Sequence, residues 1–115
     1  MHELSIALSV LDIVKTAAAE AGLSRVDTVR LRIGRATGVL PDALRFAFDC
    51  SKAGTPAAAA SLEIEEVPLG GHCDCCDRDF TNPEPYVLAC PLCGGASFRV
   101  LTGDELHVLD LEGEP

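Results

Sequence analysis

The strongest constraint in the sequence is a pair of Cys-x-x-Cys motifs, Cys73/Cys76 and Cys90/Cys93, separated by residues 77–89. Each can sit on a tight knuckle turn with two sulfurs pointing inward. Two facing knuckles complete a tetrahedral thiolate shell that zinc accepts without geometric strain. Pro91 and Gly94-Gly95 suit the second knuckle. Four thiolates leave no position for water or substrate, so the spacing reads as a structural zinc site rather than a catalytic one. A redox Cys-x-x-Cys is the competing reading. It needs a thiol at a helix N-terminus, and no helical pattern follows either pair. Cys75 lies beside Cys76 and competes for the first knuckle, although Cys73-x-Cys75 would close a tighter, less usual chelate. Cys50 reads as a small buried hydrophobe. His72 reads as an exposed loop residue or a substitute ligand, and His107 as a structural residue of a late strand.

The cysteine-bearing segment, residues 71–102, is shorter than the ~40 residues at which a lone domain usually needs a metal or disulfide. Around it the pattern changes. Leu4, Ala7, Leu8, Leu11, Val14 and Ala18 recur three or four apart and predict a helix stopped at Gly22. Val29, Leu31 and Ile33 alternate with Thr28, Arg30 and Arg32 as in a half-buried strand. Pro41-Asp42 opens a second helix with Leu44, Ala47 and Phe48 on its apolar face. Leu62, Ile64 and Val67 predict another strand ending at Pro68, and Leu106, Val108 and Leu111 a last one. The expected fold class is α+β: two helices packed on a small three-stranded sheet, with an inserted zinc-ribbon or rubredoxin-like zinc lobe held by four cysteines. Residues 1–70 and 103–115 then form a discontinuous domain, and 71–102 the zinc lobe.

The 115 residues carry 18 acidic and 9 basic side chains, a formal charge of −9, which disfavours a nucleic acid partner. No apolar run is long enough for membrane insertion, and the start lacks the continuous hydrophobic stretch of a signal peptide. The expectation is a cytoplasmic protein, where paired cysteines hold metal more often than they form disulfides.

The start, Met1-His2-Glu3, offers different chemistry. A Met1 amine, the deprotonated His2 amide and the His2 imidazole close adjacent five- and six-membered rings on one ion. Three nitrogens in a plane favour Ni(II) or Cu(II) over tetrahedral zinc, and Glu3 can add a fourth donor. The plain alternative is that Glu3 merely complements the dipole of the following helix.

Met1-His2-Glu3 with Ser5, Arg32-Ile33-Gly34, Gly38-Val39-Leu40-Pro41, Leu44-Arg45-Phe46-Ala47-Phe48, Gly54-Thr55, Leu62-Glu63-Ile64-Glu65 and Cys90-Pro91-x-Cys93-Gly94 together resemble the HypA/HybF family of hydrogenase maturation. The resemblance covers nearly the whole chain. It implies a nickel metallochaperone, not an enzyme, with nickel at Met1, His2 and Glu3 and zinc at Cys73, Cys76, Cys90 and Cys93. It also implies work with a nickel-binding maturation GTPase, delivery to the [NiFe] hydrogenase large subunit and, in some relatives, service to urease. Expected assembly is a monomer or weak homodimer.

Two readings from other classes compete. A zinc-ribbon adaptor would bind proteins without moving metal, docking an acidic partner on Arg30, Arg32, Arg35 and Arg45. A thiol oxidoreductase would require a zinc-free, low-pKa cysteine. No Gly-x-x-x-x-Gly-Lys-Ser/Thr loop is present, so nucleotide hydrolysis would fall to a partner.

Overall fold

The computed structural model describes residues 3–115. Helix α1 spans Glu3–Ala21 and is followed by Gly22 in the left-handed region at φ 71°. Its buried face is Ile6, Ala7, Val10, Leu11, Val14 and Ala18, whereas Leu4 and Leu8, expected inside, are about half exposed. The cause lies in the composition. Apolar residues occupy so much of the helix circumference that two stripes can be drawn through them, and spacing alone does not choose between them.

Strand β1 is Arg25–Gly34, with Val26, Val29, Leu31 and Ile33 buried. From Val29 onward burial follows the expected period of two. A short 3-10 turn, Arg35–Thr37, leads to α2, Pro41–Ser51, which has proline in its first turn and Asp42 near its positive end. Leu44 and Phe48 are fully buried on α2, and α1 packs against it. Strand β2 is Ser61–Val67 and β6 is Leu106–Glu114; with β1 in the centre they form one three-stranded sheet in the order β2-β1-β6. Two helices and this sheet give the α+β class that the periodicities predict.

Three further strands, which no periodicity in the sequence marks, form a second sheet with the first of them in the centre. Strand β3 is Leu69–Cys73, β4 is Arg78–Asn82 and β5 is Phe98–Thr102. β3 is central and antiparallel to both neighbours. Gly71, the expected start of the cysteine-bearing segment, lies inside β3 together with Gly70. A side chain at Gly71 would run into the Arg99 carbonyl and the Phe80 ring, so glycine here lets the ring lie against the strand.

The chain divides into two compact units. One comprises the chain up to Leu31, Val39–Glu65 and His107–Pro115; the other comprises Arg32–Gly38 and Glu66–Leu106. Arg32–Gly38 joins the second unit because its backbone bonds there: the Gly34 N–H donates to the Glu105 carbonyl at 2.7 Å and the Ala36 N–H to the Gly103 carbonyl at 2.8 Å. Among the described residues no helix is long and apolar enough to cross a membrane.

Candidate metal centre

Cys73 ends β3, and the four-residue turn that follows returns the chain into β4, with Cys73 opposite Arg78 in the register. That turn is the first knuckle. The second is a loop turn in which the Cys90 N–H donates to the Gly95 carbonyl and the Gly94 N–H to the Cys90 carbonyl, both at 2.8 Å. In each knuckle the residue after the second cysteine adopts positive φ: Asp77 at 54° and Gly94 at 75°. By this geometry Asp77 is to Cys76 what Gly94 is to Cys93, which matches Cys76 rather than Cys75 to the second cysteine of a knuckle.

The Sγ atoms of Cys73, Cys76, Cys90 and Cys93 all lie within 4.8 Å of one another. Cys73 Sγ is 3.5 Å from Cys93 Sγ and Cys76 Sγ is 3.9 Å from Cys90 Sγ, so the knuckles face each other. A tetrahedron of sulfurs at the ~2.3 Å zinc–thiolate distance has edges of ~3.8 Å, and these separations fit it. They are far longer than the ~2.05 Å of a disulfide. The set is a four-cysteine metal site compatible with zinc. Cys73 and Cys90 are buried, Cys76 is half-buried and Cys93 is exposed.

The surroundings favour thiolates at some positions and crowd them at others. Backbone N–H groups of Cys76 and then Cys75 lower the Cys73 thiol below its ordinary value, against desolvation. The Gly95 N–H acts likewise on Cys93, but the neighbouring sulfurs of Cys73, Cys76 and Cys90, with desolvation, outweigh it and push that thiol up to about 12. Four sulfurs this close cannot all ionise without a cation between them. The Arg78 guanidinium adds positive charge from outside: its bond to Cys76 raises it above the usual arginine value. The Leu92 N–H donates to Cys90 Sγ and the Gly95 N–H to Cys93 Sγ, each at 3.4 Å.

The cysteines are also the core of their own lobe. Cys73, Phe80 and Cys90 are buried together, with Cys76, Val87 and Phe98 packed against them. Phe80 and Phe98 meet edge to face with centroids 6.0 Å apart. His72 is neither a loop residue nor grouped with the cysteine sulfurs. It sits in β3, with Nδ1 2.7 Å from Asp79 Oδ1 and Nε2 3.0 Å from Asp77 Oδ1. Asp79 first, and Asp77 after it, raise its pKa above the usual 6.5.

Of the expected nickel donors, Met1 and His2 lie outside the described residues. Glu3 is the first residue of α1, half-buried and placed to complement the helix dipole. Cys50 is exposed at the end of α2 rather than buried, because the apolar face of that helix passes through Leu44 and Phe48. His107 is exposed on β6. Arg30, a docking residue on the adaptor reading, is already engaged: Nε is 3.0 Å from Glu63, and Nη1 is 2.7 Å from Asp110 and 3.0 Å from Glu112. It ties β1 to both neighbouring strands. Arg45 is paired with Asp42 at 3.1 Å. Alternation identified Arg30 as wet but gave no sign of its cross-strand partners.

A family model described as "Hydrogenase/urease nickel incorporation, metallochaperone, hypA" matches residues 1–113. The hydrogenase maturation factor HypA of Roseiflexus sp. (strain RS-1) is 49% identical over 114 residues, covering 99% of this chain and 93% of that protein. The factor of the same name from Chloroflexus aggregans is 46% identical over 112 residues, covering 97% of this chain and 98% of its own. The solution structure of the Ni metallochaperone HypA from Helicobacter pylori superposes with a TM-score of 0.69 over 99% of this chain and 98% of that one; at 21% identity this is a likeness of fold. On the extent of these matches the chain belongs to the HypA family, which is a family of nickel-incorporation metallochaperones and not of enzymes.

Proposed function

We propose that this protein carries Ni(II) on its first residues and keeps a zinc ion in its cysteine lobe for structure alone. Nickel would be held by the Met1 amine, the His2 amide and imidazole, and Glu3. Zinc would be held by Cys73, Cys76, Cys90 and Cys93, where it supplies the cross-link that orders the knuckles. The observation carrying the nickel half is that the family match begins at residue 1 and so includes Met1-His2-Glu3. The cysteine geometry supports the zinc half: four sulfurs within 4.8 Å of one another would fill a tetrahedral shell, and two of the four are buried.

The division of labour follows from coordination chemistry. A chelate at a chain terminus has an incomplete shell, so a recipient's donor can attach before the old ligands leave. A closed thiolate cage releases metal far less readily. The recipients on this reading are the nickel-binding maturation GTPase and the large subunit of [NiFe] hydrogenase, with urease a further client and the cytoplasm the place of work. Protons compete for amine and imidazole, so nickel affinity falls as pH drops through the imidazole range.

Calorimetry with untagged protein, His2→Ala and a form extended by a few residues before Met1 tests the nickel half. The expected result is one nickel bound by the native start and at least a ~100-fold weaker affinity in both variants. Undiminished affinity in both would refute the proposal. Cysteine alkylation before titration should leave nickel binding intact.

A further inference from the structure

The lobe holds a fifth thiol that the metal site does not use. Cys75 lies in the first knuckle between the ligands, and it is exposed. Gly95, in the second knuckle, shows where its sulfur points. A Cβ built on Gly95 would lie 2.7 Å from Cys75 Sγ and 3.3 Å from Cys93 Sγ. The Cys75 sulfur thus occupies the space a side chain at position 95 would need, and the Cys93 sulfur borders the same space. Cys93 is the one ligand of the four that is exposed. A non-ligand thiol and the most accessible ligand sulfur therefore border one side-chain-sized gap at the solvent edge of the cluster.

We propose that Cys75 and Cys93 form a peroxide-responsive thiol pair whose disulfide opens the zinc shell. The step balances. The Cys75 thiolate attacks one oxygen of hydrogen peroxide, the O–O bond breaks and hydroxide leaves, giving a sulfenic acid at Cys75. The Cys93 thiolate attacks that sulfur, the S–O bond breaks and a second hydroxide leaves as the disulfide forms. Two thiols have lost two electrons, one peroxide has become two waters after proton uptake, and zinc has lost one of four thiolates. Cys75 reacts with peroxide first because no metal competes for its lone pairs and its side chain is open to solvent. Cys73, Cys76 and Cys90 remain as ligands, leaving an open position of the kind that lets a bound ion exchange. Thiol reductants restore the closed shell.

The inference rests on the zinc reading above, and its test separates the two. Zinc content of untagged protein purified without chelator is measured first. One equivalent of hydrogen peroxide is then added with a chromophoric zinc chelator present, and non-reducing peptide mass spectrometry locates the disulfide. Expected are close to one zinc at the outset, a Cys75–Cys93 link as the first product, and zinc release slowed at least about tenfold in Cys75→Ser and in Cys75→Ala, both still zinc-loaded. A full zinc complement with unchanged release in both variants would overturn the switch alone. So would a first disulfide between Cys73 and Cys93 or between Cys76 and Cys90, the pairs whose sulfurs are 3.5 and 3.9 Å apart. Less than half an equivalent of zinc at the start would remove the zinc reading and the switch together.

Discussion

Stripping zinc should unfold one half of this protein and leave the other standing. Among the described residues of the second unit outside Arg32–Gly38, Leu69 and Phe80 are the only large aliphatic or aromatic side chains buried below a tenth of their surface. At ~1.5–3 kcal/mol each, their burial supplies about 6 kcal/mol at most. A structural zinc is worth ~10–16 kcal/mol to a small domain, so the metal outweighs the apolar core. The first unit differs, with Leu11, Val14, Val26, Val29, Leu31, Leu44 and Phe48 each 2% exposed or less. Hydrogen–deuterium exchange, read by segment under reducing conditions with and without a strong chelator, is the assay. Losing more than about 4 kcal/mol of local stability lowers amide protection by about a thousandfold. That loss should appear across β3, β4 and β5, while α1, α2 and β2 keep their protection and readdition of zinc restores the rest. Unchanged exchange in β3–β5 after complete metal removal would refute the view that the ion, rather than the Phe80–Phe98 cluster, holds the lobe together.

Other consequences are quicker to check. Phe48→Ala leaves a cavity in a fully buried site and should cost ~3–5 kcal/mol, read as a shift in urea midpoint for the first unit. His72 gains two carboxylate partners on folding, so its folded pKa lies above the unfolded 6.5. Its contribution to stability is therefore complete below that value and disappears as pH rises through the folded pKa, which urea midpoints of the native and His72→Gln proteins across a pH series from acid to mildly alkaline should show. In zinc-loaded protein, Cys50 and Cys75 should alkylate with iodoacetamide first, Cys50 because it is exposed at the end of α2. Protection of Cys50 would mean that the apolar face of α2 extends further than Leu44 and Phe48.

The larger elements were legible because each carries a long periodic signal. Val29, Leu31 and Ile33 alternate over enough residues to specify a strand, and Pro41-Asp42 marks a helix start by chemistry that few other settings use. The second sheet was not legible, since its strands have five residues each and the central one reads Leu-Gly-Gly-His-Cys, without alternation. What brings it together is Phe80 lying against Gly71 and Phe98 packing with the cysteines, a relation between distant positions. The metal site was the reverse case. Two-residue spacing fixes a knuckle locally, so Cys73, Cys76, Cys90 and Cys93 could be grouped without knowing any strand. Which apolar stripe of α1 turns inward, and that Arg30 is claimed by Glu63, Asp110 and Glu112, depend on neighbours that a one-dimensional pattern does not name.

On the function proposed here the cargo ion sits on nitrogen at the first residues and not in the cysteine lobe. X-ray absorption at the nickel edge, on zinc-loaded untagged protein given one equivalent of Ni(II), tests it directly. Expected are a pre-edge feature of a planar site, a first shell of nitrogen and oxygen, and imidazole scattering that vanishes in His2→Ala. A shell dominated by sulfur, unaltered by that substitution, would contradict it.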